Sequence, residues 1–100
     1  YYLSGRVSAV IGTHTHTQTA DEECIDGKTA YISDVGMVGA ARSVLGVCPE
    51  QAIQKQRFHV PVQFSEAPGP YVLGAVCLSI DPKTGNSNKI RRVFLKEMTN

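Results

Sequence analysis

The chain has 100 residues, ten of them basic and nine acidic, for a formal net charge of +1. A chain of this length forms at most one domain, with a moderate core and little surplus for a large cleft, so a sizeable catalytic site needs residues from elsewhere. The charges are spread along the sequence, which excludes the electrostatic footprint of a nucleic-acid binder or of a protein held on an anionic membrane.

Residues 7–11, Val-Ser-Ala-Val-Ile, are short, β-branched and apolar on both faces, which predicts a strand buried between two layers and ended by Gly12. Residues 21–28 are polar and carry the turn signal Asp26-Gly27, after which residues 29–35 read as a second strand. A tight loop is expected at residues 36–39. The two glycines there, Gly36 and Gly39, are weak evidence for a phosphate cradle, and a turn is the default. Pro49 suits the first position of a helix through Arg57, because its missing N–H is not needed there. Val60, Val62 and Phe64 alternate with Pro61, Gln63 and Ser65, the period of an edge strand. Residues 67–70 form a turn. The last third reads as a hairpin, with strands at 71–80 and 89–96 joined by the turn at 81–86.

The nearest approach to a basic cluster is Lys89, Arg91, Arg92 and Lys96. On a strand Arg91 and Arg92 point to opposite faces, which describes a solvated edge better than a phosphate-binding patch. Cys24, Cys48 and Cys77 are odd in number and lack the paired spacing of a zinc knuckle or redox motif, so reduced thiols are expected. Neither a signal peptide nor an apolar run of membrane-spanning length is present in the sequence, and the expectation is a cytoplasmic protein with no membrane partner. The first residue is not methionine and an apolar strand begins a few residues later, as expected of part of a longer polypeptide. A mostly stranded chain with one short helix cannot cover both faces of its first strand. The expected fold class is therefore α/β, these residues being the terminal portion of a larger sandwich.

Two of the three histidines, His14 and His16, stand one residue apart in GTHTHTQTAD, residues 12–21, where the first strand runs out. In an extended backbone residues i and i+2 project to one side, so both imidazoles can face a common metal site while Thr15 points away. Imidazole suits zinc, iron, manganese and nickel, and strand ends in α/β folds gather ligand sites. The alternative is a pair of exposed loop histidines with no metal. Two imidazoles do not fill a coordination shell, and the acidic candidates are Asp21 and Asp34. Asp21 is also a natural turn or cap residue, and Asp34 either orients a ligand histidine or shapes the glycine-containing loop after it. His59, between helix and edge strand, is expected to be an exposed structural residue.

Residues 8–21, SAVIGTHTHTQTAD, together with residues 29–37, TAYISDVGM, resemble the C-terminal part of a bacterial calcineurin-like metallophosphoesterase of the YmdB type. A strand entering G-T-H-T-H and followed by T-A-D is far more specific than a bare His-x-His. The resemblance runs from about Gly5 to Val93 and takes in residues 43–46, the helix, residues 60–62 and the turn at 81–85, yet it spans only the last third or so of the family's domain. It implies a two-sheet sandwich flanked by helices and a dinuclear metal centre at the strand ends. It implies hydrolysis of phosphodiesters such as cyclic nucleotides, or of phosphomonoesters, as small substrates. His14 and His16 match the family's terminal ligand pair, one to each of two divalent or trivalent ions, iron or manganese first and zinc as the alternative. Thr13, Asp21 and Asp34 fall to supporting or substrate-loop roles. The catalytic residues and remaining ligands belong to the family's N-terminal part, so the segment alone is expected to be inactive and to associate with that part or as a homo-oligomer. After residues 34–37 the family's Thr-Gly-Pro is replaced by Val38-Gly39-Ala40, and Arg42 stands where a small acidic or amide residue is expected. Substrate selection and subunit contacts at that loop are thereby open.

Two rival readings stand beside this one. An amidohydrolase also carries His-x-His at a strand end, but it needs further histidines at later strand ends and only His59 remains. A β-rich structural or oligomerisation module would make the pair incidental.

Overall fold

The computed structural model describes residues 1–98. Its elements in order are β1 (Ala9–Ile11), β2 (Glu23–Ile25), β3 (Thr29–Ile32), β4 (Val38–Ala40), α1 (Pro49–Phe58), β5 (Tyr71–Ile80) and β6 (Ser87–Lys96). They fall into two compact units, residues 1–37 with 74–94, and residues 38–73 with 95–98.

In the first unit β3 is the central strand of a sheet ordered β1-β3-β2. β1 lies parallel to it, with Ala9 opposite Ala30 and Ile11 opposite Ile32, and β2 lies antiparallel, with Cys24 opposite Ala30. The β2–β3 reversal is made by Asp26 and Gly27, both at positive φ (55° and 65°). That pairing of left-handed residues matches the right-handed twist of flanking strands, which explains the strong turn signal of Asp-Gly. Being central, β3 buries Thr29, Ala30 and Ile32.

The hairpin formed by the rest of β5 and by β6 belongs to the same unit between residues 74 and 94. At its tip the Asp81 N–H donates to the Asn86 carbonyl at 2.9 Å, and Gly85 takes φ 76°. Polar bonds attach this tip to the start of β1. The Ser8 hydroxyl donates to the Gly85 carbonyl, and the fully buried Ser87 hydroxyl donates to the Ser8 carbonyl, each at 2.6 Å. A buried hydroxyl so matched adds direction at little desolvation cost. Arg92 pairs with Glu22 at 2.6 Å while staying well exposed, and such a surface pair contributes little to stability.

In the second unit β4 runs antiparallel to the first residues of β5, Val38 facing Leu73 and Ala40 facing Tyr71. α1 starts at Pro49 as expected, has Glu50 in its first turn and Lys55 and Arg57 in its last, and ends on His59 in the left-handed conformation (φ 53°). The charges match the helix dipole at both ends. No α1 residue is buried. Its attachment includes Gln51, whose carbonyl oxygen accepts the Ser65 N–H at 2.8 Å.

The expected class holds: among the described residues the chain is strand-rich, with two sheets and one helix. Several elements differ in extent. The first strand covers Ala9–Ile11 only and is not enclosed between layers among the described residues, Ile11 being 41 % exposed. Residues 23–25, within the stretch read as polar, form β2 because the Asp-Gly turn folds them onto β3. The loop expected at 36–39 yields to β4, which finds a partner in β5. Residues 60–64 are not a strand despite their alternation; Pro61 has no N–H to donate to a ladder, and the nearest bridge, between Val47 and Glu66, lies beyond them. Cys24, Cys48 and Cys77 are free. Among the described residues no helix is long and apolar enough to cross a membrane.

Gly12 is the tightest backbone contact in the first unit: a Cβ there would lie 1.8 Å from the Ser33 carbonyl oxygen. At Gly27 a Cβ would meet nothing within 4 Å and only the positive φ opposes it. Gly12→Ala is therefore expected to cost about 2–4 kcal/mol, against about 1 kcal/mol for Gly27→Ala, as read from urea unfolding midpoints of the two variants.

Candidate metal centre

The segment after β1 leaves its strand without leaving β3. Gly12 donates its N–H to Ile32 at 3.0 Å and accepts from Val35 at 2.9 Å, so the chain stays beside β3 for one residue beyond Ile11. Residues 14–17 then form successive bends, and His16 adopts the left-handed conformation with φ 64°. This corrects the expectation that His14 and His16 occupy alternate positions of an extended backbone. The cause is Asp34. Its Oδ2 accepts both the Thr15 N–H at 2.6 Å and the Thr15 hydroxyl at 2.7 Å, drawing in the residue between the histidines. His14 and His16 are left exposed on the loop so formed.

Asp34 is 3 % exposed. Its Oδ1 accepts the Gly36 N–H at 2.8 Å, so both oxygens are engaged. The Thr15 hydroxyl first, then the N–H groups of Gly36 and Thr15, hold its carboxyl below the ordinary carboxylate range, with a small attraction from His14 and against the opposing effect of burial. Between the two roles expected of Asp34, the geometry is that of a residue shaping the loop through Thr15 and Gly36.

Asp21 closes the far end of the loop. Its Oδ1 accepts the Thr19 hydroxyl at 2.6 Å and the Ser33 N–H at 3.1 Å, and its Oδ2 accepts the Ser33 hydroxyl. These bonds, the Ser33 hydroxyl foremost, bring its pKa down from 3.8 to about 2. Asp21 is thus a cross-link to the end of β3 more than a turn residue bonded to its own backbone. Thr19 adds a second tie, exchanging bonds with the Asp34 backbone at 3.0 Å in each direction. Thr13 is exposed at the start of the loop. Among the described residues no three His, Cys, Asp or Glu side chains converge closely enough to hold a metal ion, so Asp21 and Asp34 do not join the histidines as a ligand set. His59 caps α1 and stays exposed, as expected.

One residue of the loop was not singled out from sequence. The Gln18 amide nitrogen lies 3.0 Å from the Ala75 carbonyl, 3.2 Å from that of Val93 and 3.3 Å from that of Val35. The available signal was the run Thr13-His14-Thr15-His16-Thr17-Gln18-Thr19, in which Gln18 takes the register of the histidines.

The donor chemistry fits a metal in part. Two exposed imidazoles on a segment held from below can supply two borderline nitrogen ligands, and the rest of a shell has to come from beyond the described residues.

A family model described as YmdB-like protein matches residues 1–93. The chain belongs to the YmdB-like family. It is 42% identical over 97 residues to a 2',3'-cyclic-nucleotide 2'-phosphodiesterase of Bacillus subtilis (strain 168), a match covering 97% of this chain and 37% of that protein. Among solved structures, a hypothetical protein from Thermus thermophilus superposes with a TM-score of 0.88 at 34% identity, over 97% of this chain and 38% of that one. A novel phosphatase from Mycoplasma pneumoniae gives the same TM-score, 0.88, at 32% identity, over 95% of this chain and 34% of the other. The chain therefore spans little more than a third of the length of these three proteins and takes the fold of the two solved structures over that span.

A carboxylate whose folded pKa is depressed stabilises the fold fully above its ordinary pKa and ceases to do so as pH falls through the folded value. For Asp21 that window runs from 3.8 down to about 2. A carboxyl-carbon NMR titration is expected to place the Asp21 midpoint near the lower figure, and Ser33→Ala, which removes the largest cause, should move it back toward 3.8; a wild-type midpoint at the ordinary value would contradict the cross-link.

Proposed function

We propose that this chain supplies the His14–His16 half of a dinuclear metal centre in a phosphoesterase, and that the substrates are small phosphodiesters, cyclic nucleotides among them, or phosphomonoesters. The observation that carries the reading is the pair of exposed imidazoles on a loop bonded to the end of β3 through Asp34. It is supported by 42% identity with a protein named as a cyclic-nucleotide phosphodiesterase.

Each imidazole offers one nitrogen to a cation and keeps the other for orientation, and neutral donors leave a cation its Lewis acidity where further carboxylates would dampen it. Held by His14 and His16 together with the complementing ligands, such cations would supply Lewis acidity toward a phosphoester and toward water. Iron or manganese is the first expectation, zinc the alternative. Within this chain Asp34 acts through Thr15, setting the backbone between the two ligands, and Asp21 fixes where the loop rejoins the sheet. Groups that exchange protons with the substrate, together with the other ligands, come from a complementing portion of polypeptide. That portion, or a second copy, would also cover exposed side chains such as Tyr1, Tyr2 and Leu3.

Two measurements test this reading. Assayed alone with manganese and bis(p-nitrophenyl) phosphate, the chain is expected to show no turnover; robust hydrolysis would refute the claim that the centre is incomplete. Once the complementing portion is present, metal analysis of the complete protein should show a manganese content that His14→Ala and His16→Ala each lower. Metal uptake indifferent to both substitutions would favour an incidental pair in a structural module.

A further inference from the structure

Gln18 sits at a junction cleared of side chains. Gly36 has φ 93°, and a Cβ on it would lie 3.2 Å from both the Cβ and the backbone nitrogen of Gln18. A Cβ on Gly74 would lie 2.6 Å from the Val35 carbonyl oxygen, one of the three oxygens that the Gln18 amide reaches. Gly74 also donates its N–H to Met37 at 2.8 Å. The segment after β3 and the start of the hairpin thus approach closely only because two glycines let them, and the Gln18 side chain enters the same place. Its two N–H groups are shared among carbonyls of the segment after β3, of β5 and of β6.

We propose that Gln18 is a positioning residue for the histidine loop: by fastening the loop's distal end to three backbone carbonyls around a glycine-cleared junction, its amide fixes the placement of His14 and His16 as a ligand pair. The inference rests on the metal-binding reading of that pair and adds a residue which touches neither ion nor substrate. Thr15 on Asp34 holds the middle of the loop, and Thr19 on the Asp34 backbone holds its end to the segment after β3. Between those two ties Gln18 adds a side-chain anchor that reaches the hairpin, two residues after His16. A glutamine is suited to the task because its amide presents two donors at the end of a side chain long enough to reach across to the hairpin. Supporting residues of this kind typically change metal affinity by about tenfold to about a hundredfold when they are lost.

The test uses Gln18→Met, which keeps length and volume and removes both donors, on the full chain titrated with zinc alone and followed by the imidazole NMR signals of His14 and His16. In the wild type both rings should shift as zinc is added. In the variant, affinity at both rings should fall by about tenfold or more. Backbone order of residues 13–17 in the metal-free variant should also fall, while amide exchange of β3 stays as in the wild type. Unchanged affinity and unchanged loop order in a folded variant would overturn the proposal. If neither wild-type ring responds to zinc, the metal reading fails, and the loop-order comparison still decides whether Gln18 positions the histidines. A measurement without any variant guards against misfolding: the wild-type Gln18 side-chain amide should exchange with water far more slowly than that of an exposed glutamine such as Gln63, and equal rates would refute the anchor.

Discussion

A buried carboxylate with no salt bridge among the described residues is a costly thing to keep, and Asp34 is kept because three donors converge on it. A carboxylate accepts on both oxygens and donates on neither, so it gathers N–H and hydroxyl groups that regular structure leaves unpaired. Here those groups come from the middle of the histidine loop and from the turn after β3. With Thr15 bonded to Asp34 the loop bends rather than running on extended, and His16 takes the left-handed conformation. Asp34 therefore holds the middle of the loop that carries the imidazoles.

The rest of the first unit gives this arrangement a firm base by polar means more than by bulk. Its buried apolar residues among those described are Ala30 and Ile32, both on β3. Around them Ser8, Ser87, Thr29, Asp21 and Gln18 make bonds to backbone or to one another. Each such bond contributes only about 1 kcal/mol net, but each is directional, which dispersion is not. Geometry specified this way is lost by changes that barely alter hydrophobic area.

What the sequence made legible follows the reach of its local signals. Pro49 marked the start of α1, Asp26-Gly27 a turn, and residues 81–86 the turn of the long hairpin, because each is decided by a few adjacent residues. β2 and β4 escaped detection since a segment of three residues becomes a strand only when a partner offers it a ladder. Residues 60–64 show the converse, a strand-like alternation without partners for its backbone. At the candidate site the histidines and Asp34 were visible by type and place. Their relation was not, because it passes through the hydroxyl and N–H of Thr15, and Gln18 was overlooked because its role depends on carbonyls 17, 57 and 75 residues further along the chain.

The difference between an extended and a bent presentation of His-x-His has a consequence for how such a motif works. On a strand the pleat itself sets the separation and direction of two alternate side chains, and neighbours can change with little effect. On a bent loop nothing intrinsic to the three residues sets them. The placement has to be imposed by bonds to Thr15 between the histidines and to the residues that follow, so the working unit is the whole run from Gly12 to Asp21 together with its acceptors on β3 and the hairpin. Gly12, which allows the close approach to Ser33, and Asp21, which bonds Ser33 from the other end, bracket that unit on the same residue. A bare His-x-His is common by chance, whereas one bracketed in this way requires a specific partner at each bend, and that requirement is what gives the longer sequence pattern its discriminating power.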